Sequence, residues 1–376
     1  MKKISRVKDS ASLRSVAMAE LKKTGMTPDK ILSFDNEARV TALLEHPNIV
    51  PIYEIGHQDG TPYFIMKEIH GETLGSILKK IEKQDSDYIN KYNLSALLNI
   101  FLKVSDAISY AHSRHIVHLD LKPDNIHVGS FGEVLVIDWG LAKNLEQDPL
   151  VKYHHQVTSE IGIEDTLDGF VKGTIGYMAP EQARGENSEK DERTDIYSLG
   201  AILYSILTQQ SPYSNKDIKA AIAMISQGEY IPLTEDKLPE ALCAVIKKAM
   251  SLEKEDRYQN VEKLSHDIQL YLQGFATSAQ EANYADILKL FFKRHALTMT
   301  LIGSFILLLL LSGILFIINL HEKEQRAIKS ANEAKKNELI AKQNEQKAIE
   351  HFNSFVNATK EKEKLEQVSL PLALRR

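Results

Sequence analysis

The chain has 376 residues, of which 43% are hydrophobic and 26% charged, with 46 Lys and Arg against 51 Asp and Glu. That length accommodates two average domains with a sizeable core, and the net charge of −5 gives no hint of a nucleic-acid partner. The single Cys243 excludes an intramolecular disulfide and any cysteine-built metal site.

In chain order, Val16-Ala17-Met18 reads as a strand. Lys30 to Glu45, with apolar Ile31, Phe34, Ala38, Leu43 and Leu44, reads as a helix that stops at the turn His46-Pro47-Asn48. Two β-rich runs follow, Ile49-Val50-Pro51-Ile52-Tyr53 and Tyr63-Phe64-Ile65-Met66. A helix is predicted from Leu94 to Arg114, since Leu97, Phe101, Val104, Ile108 and Ala111 recur at helical spacing. Beyond it, Glu133 to Ile137 is a short strand that presents Asp138 at its end, and Thr194 to Gly200 opens the next apolar helix.

Between these elements lies His118-Leu119-Asp120-Leu121-Lys122-Pro123-Asp124-Asn125, followed by Asp138-Trp139-Gly140. Taken alone, the first motif could be a polar turn after a helix. Together the residues suit phosphoryl transfer. Asp120 can accept the proton of an attacking hydroxyl, Lys122 can neutralise charge on the moving group, and Asn125 with Asp138 can hold Mg²⁺.

The order of these two motifs, followed by Gly173-Thr174-Ile175-Gly176-Tyr177-Met178-Ala179-Pro180-Glu181, resembles the eukaryotic-like, Hanks-type Ser/Thr protein kinases of bacteria. The resemblance implies an α+β, bilobal protein-kinase-like fold with a β-rich N-lobe, here incomplete, and a helical C-lobe. It implies ATP and Mg²⁺ as cofactors and protein Ser/Thr as substrate. Residues 1–274 would form the kinase domain, with the N-lobe at 1–66, the hinge at 67–71 and the C-lobe at 72–274. Nucleotide would meet Ala17, Met66 at the gatekeeper position, Lys67, Ile69 and, under the adenine, His127. Thr174 would join Asp120 and Lys122 on the substrate side. Asp195 would cap the catalytic loop, and Glu181 would pair with Arg257, which could otherwise be a plain surface residue. Thr158, Ser159 and Thr166 are candidate autophosphorylation sites.

The chain departs from the family pattern at several places. It contains no Gly-x-Gly-x-x-Gly turn, and Ile4-Ser5-Arg6-Val7-Lys8-Asp9 looks like the strand that follows such a turn, as a misassigned start codon would produce. In Val16-Ala17-Met18-Ala19, similar to Val-Ala-x-Lys, the phosphate-binding lysine is Ala19, so Glu37 is expected to lack its partner. Lys22 and Lys23 follow, but only Lys23 shares Ala19's side of a strand, and it lies too far along. Leu119 replaces the arginine that precedes the catalytic aspartate and would bind an activating phosphate. Trp139 replaces Phe, and His127, expected as a packed and hydrogen-bonded side chain, replaces an apolar residue.

After a linker at 275–296, Leu297 to Leu320 runs 24 residues without a charge. As a helix it would cover the ~30 Å hydrocarbon layer with some tilt; a buried core helix would be shorter and one-sided. Lys289, Lys293, Arg294 and His295 crowd its N-terminal flank, which places residues 1–296 in the cytoplasm and the tail across the inner membrane, in a single pass. No apolar run follows Met1-Lys2-Lys3, so the internal helix would itself direct insertion. Residues 321–376 form a charged tail with Ala327, Ala334, Ala341, Ala348 and Phe355 at heptad spacing, a thin stripe that suits a solvated helix or weak coiled coil. A homodimer through the transmembrane helix and tail is the functional alternative. Two readings of the whole chain follow: a membrane-anchored Ser/Thr kinase, or a pseudokinase scaffold that binds partners, with a decayed gene product as a weaker third.

Overall fold

Strands β1 (Lys2–Lys8), β2 (Ser15–Leu21), β3 (Ile52–Gln58) and β4 (Thr61–Lys67) pair antiparallel in the order β1-β2-β4-β3. The computed structural model describes residues 2–10, 12–23, 26–145, 175–213, 217–234, 238–280, 282 and 284–369. Helix α1 (Pro28–Leu43) crosses this sheet; Thr27 caps it by accepting from the Lys30 amide, and Pro28 fits the first turn because its missing N–H would be unpaired there. Phe34 and Ala38 of α1 close the small-lobe core with Ala19, Leu21 and Phe64, the two phenyl rings lying 5.0 Å apart.

The first β-rich run begins later than its composition predicts. Ile49 and Val50 precede β3, and Ile49 instead forms a parallel bridge to Val136. Asn48 supports that link by donating its side-chain amide to Val134 O at 2.8 Å, so the turn at 46–48 ties the lobes together. After β4, Gly71 has φ +123°, and a Cβ there would sit 2.1 Å from Val128 O. Only glycine lets the chain pass that close.

The large lobe continues through β5 (Glu72–Thr73), α2 (Leu74–Glu82), α3 (Ser86–Lys91) and α4 (Leu94–Ser113). All five predicted apolar positions of α4 are buried. Short strands β6 (Ile116–Val117), β7 (Ile126–Val128), β8 (Val134–Val136) and β9 (Lys143–Asn144) frame the cleft; β7 joins β5 and β8, while β6 pairs with β9. Then come α5 (Pro180–Ala183), α6 (Glu192–Thr208), α7 (Ile218–Ser226), α8 (Glu240–Ala249) and α9 (Val261–Leu272). Helix α6 is buried along nearly its whole length, packed between α4 and α8. This is the mixed α/β kinase-like architecture.

Helix α10 (Tyr284–Arg294) ends the first of two units, Met1–Arg294; the second is His295–Arg376. In the second, α11 (Ala296–Ser369) is one unbroken helix of 74 residues. Its apolar stretch has no buried residue, and the helix is long and apolar enough to cross a membrane. Helix α4 is also long and apolar, but its mean hydropathy is 1.2 against 2.9 for α11, and half of its apolar window is buried, as suits a core helix.

Candidate active site

Residues 118–125 hang between β6 and β7, and a buried carboxylate holds them. Asp195, in the first turn of α6, accepts from the amides of His118 and Leu119, both at 2.8 Å, and from His112 Nε2 at 2.9 Å. Those bonds hold Leu119 at φ +64°, a left-handed conformation uncommon outside glycine. Burial alone would raise the Asp195 pKa, but the bonds from His112 and His118 outweigh it and leave it below the usual value. A depressed carboxyl stabilises the fold above its unfolded pKa and loses that contribution as pH falls through the folded one. The melting-temperature gap between wild type and Asp195→Asn should therefore narrow between about pH 6 and about pH 3; a constant gap in thermal scans would contradict this.

His118 accepts from the Asp120 amide at Nδ1, 3.2 Å away, and its Nε2 donates to Ile137 O at 3.3 Å. Asp120 Oδ2 in turn receives Lys122 Nζ at 2.7 Å and Asn125 Nδ2 at 3.1 Å, and Asn125 Nδ2 also donates to Asp120 O at 2.8 Å. Three predicted residues thus converge. Burial pushes the Asp120 pKa up more strongly than Lys122 draws it down, which keeps the carboxylate basic enough to take a proton.

Asp138 follows β8, where the Ile137 amide donates to Asn125 O at 2.9 Å and so sets the fourth predicted residue beside the third. Asp138 adopts φ +65°, a strained state typical of residues placed by function. Next to it, Trp139 is fully buried with its ring 4.5 Å from His118, so the larger aromatic packs within the core. A Cβ added to Gly140 would lie 3.5 Å from Asp138 Oδ1 and 3.7 Å from Glu37 Oε2.

Glu37 corrects an expectation from the sequence. It is not unpartnered: Lys2 of β1 donates to its Oε1 and stands 3.5 Å from Asp138 Oδ1. Lys22 and Lys23 are exposed. The lysine escaped sequence reading because it lies on the neighbouring strand, not the motif strand; the signal was the cross-strand register, in which Ile4 faces Ala19 and Lys2 faces Leu21.

Of the residues expected to meet nucleotide, Ala17 is buried opposite Met66, and the Lys67 amide is committed to Pro51 O at 3.1 Å. Ile69 follows in the stretch between β4 and β5. His127 sits in β7 facing Thr73 and Leu135, and burial lowers its pKa. It is packed as expected, but its Nδ1 has no hydrogen-bond partner among the described residues. Thr158, Ser159, Thr166 and Thr174 lie outside the described residues.

Below the cleft, Arg257 meets Glu181 through two bonds of 2.9 Å. Both are buried, and Arg257 also donates to the carbonyls of Ser251, Leu252 and Arg193, while Thr194 donates to Glu181 Oε1. Burial raises the Glu181 pKa, but the guanidinium outweighs it and the net shift is downward.

A β-rich small lobe, a helical large lobe and an Asp–Lys–Asn loop beside a strand-end aspartate define a protein kinase domain. The protein kinase domain family matches residues 2–268, and the chain belongs to that family, among its bacterial Hanks-type Ser/Thr members. It is 39% identical over 254 residues to the serine/threonine-protein kinase PknD of Protochlamydia amoebophila, covering 64% of this chain and 25% of that protein. Identity to PknD of Chlamydia abortus is 37% over 276 residues, covering 71% and 29%. For Chlamydia trachomatis serovar D it is 34% over 281 residues, covering 71% and 30%. The chain therefore spans less than a third of the length of these relatives. The family uses ATP with a divalent metal and acts on proteins.

Proposed function

We propose that the chain is an active, membrane-anchored Ser/Thr protein kinase that transfers the γ-phosphoryl group of Mg²⁺-ATP to protein hydroxyls in signalling. The convergence of Lys122 and Asn125 on Asp120, with Asp138 one strand pairing away, carries this reading. Asp120 orients the substrate hydroxyl and takes its proton. Lys122, already on Asp120, is placed to meet the charge that develops on the transferred group. The amide nitrogen of Asn125 is committed to Asp120, so its oxygen, with the Asp138 carboxylate, offers two hard donors that suit magnesium. Bound magnesium would neutralise phosphate charge. Ala17, Met66, Lys67, Ile69 and His127 form the adenine side on this reading, and Thr174 belongs to the substrate side.

On this reading the kinase domain is 1–274, with lobes divided at the hinge 67–71, followed by a linker at 275–296, a transmembrane helix at 297–320 and a helical tail at 321–376. Lys289, Lys293 and Arg294 favour a cytoplasmic kinase domain, the tail lying across the inner membrane. The heptad alanines and Phe355 are exposed and support a homodimer along the tail.

The full chain in detergent micelles, given labelled ATP, Mg²⁺ and a generic basic protein, should label serine and threonine. Chelation, or Asp138→Asn, should lower the rate by at least about 10²-fold. Equal labelling by wild type and Asp138→Asn would refute the reading. Ala19 favours the scaffold alternative, whose mark is Mg²⁺-ATP binding without transfer.

A further inference from the structure

In an antiparallel pair, directly opposed residues share a face of the sheet, and positions two apart return to it. Because Ile4 opposes Ala19 and Lys2 opposes Leu21, Lys2 leaves the sheet on the same face as Ala17 and Ala19. Ala19 itself is fully buried against the Phe34 and Ala38 side of α1. Its methyl group closes the small-lobe core and carries no charge toward the cleft. The ammonium of Lys2 supplies that charge from one strand away, held on Glu37 of α1 and 3.5 Å from Asp138.

The Lys2 ammonium donates to Glu37 Oε1 and stands 3.5 Å from Asp138 Oδ1, so one cation bridges α1 and the residue that follows β8. The site is also open: the side chains of Lys2 and Asp138 are 27% and 43% exposed, against 12% for Glu37. A cation fixed from below by a buried acid, with free surface beside a metal-capable aspartate, is arranged to receive an anion.

We propose that Lys2, donated by β1, is the phosphate-binding lysine of this kinase. Its ammonium holds the non-transferred phosphates of ATP, and Glu37 fixes its arm. The assignment rests on the kinase reading above and deepens it. It relocates the role that the strand motif would give to position 19, so Ala19 ceases to count against nucleotide handling.

Affinity for two probes tests it on the full chain: Mg²⁺-ATP, which carries phosphates, and adenosine, which does not. Lys2→Met should weaken Mg²⁺-ATP binding by about tenfold to a hundredfold, the scale of one charge-assisted hydrogen bond, and leave adenosine within about twofold of wild type. Lys3→Met serves as a charge control, because Lys3 alternates to the other face beside Glu20, and should change neither affinity. Unchanged Mg²⁺-ATP affinity in Lys2→Met would overturn the assignment. So would parallel losses for both probes, which would mark a merely structural lysine, or an equal loss in Lys3→Met. Phosphoryl transfer by wild type and Asp120→Asn in the same samples tests the kinase reading separately. If wild type transfers phosphate and Lys2→Met keeps its ATP affinity, only the Lys2 assignment falls; if wild type binds neither probe, both fall.

Discussion

Asp120→Asn should reduce kcat by about 10²–10⁴-fold, the usual contribution of a positioned general base, with the KM for ATP changed far less. The substitution keeps the size of the side chain. Lys122 and Asn125 both donate to Asp120 Oδ2, and an asparagine can turn its carbonyl oxygen toward them, so the loop geometry survives. The proton acceptor does not. Because burial raises the Asp120 pKa, the wild-type carboxylate is a better base than an exposed aspartate, which sharpens the contrast. Steady-state phosphorylation with kcat and KM resolved separately is the measurement. A kcat within about twofold of wild type would remove Asp120 from the reaction.

Glu181→Ala should cost the kinase domain about 3–5 kcal/mol, the range for leaving one member of a buried ion pair uncompensated. Arg257 would keep its three carbonyl acceptors but lose the only carboxylate to which it donates among the described residues. Replacing both partners by leucine should be far milder than either single change, because the penalty arises from the stranded charge and not from lost attraction. The fully buried Trp139 is the only tryptophan of the chain, so its fluorescence during urea unfolding reports directly on the catalytic core. A single-variant loss below about 1 kcal/mol would mean that the pair is solvated or replaceable.

The sequence disclosed most where function is written in contiguous residues. Residues 118–125 and 138–140 could be read because phosphoryl transfer needs those side chains within one loop and one strand end. Helix α4 was equally plain, as its apolar period is unbroken. The Glu181–Arg257 pair, 76 positions apart, was accessible only through family resemblance. Lys2 was not read at all. Its position depends on how β1 registers against β2 and on where α1 carries Glu37, and neither relation leaves a local trace. Ile49 and Val50 misled for a related reason: their β-branched chemistry fits extended backbone, while the bridge to Val136 that engages Ile49 is tertiary.

Helix α11 has a mechanical consequence. From His321 to Ser369 it contains no proline or glycine, its two glycines being Gly303 and Gly313 inside the apolar stretch. At about 1.5 Å per residue that outer part is a stiff rod of roughly 70 Å. On the membrane-anchored reading proposed above, a push at its far end would reach the apolar stretch as torque, and the first compliant joints it would meet are those two glycines.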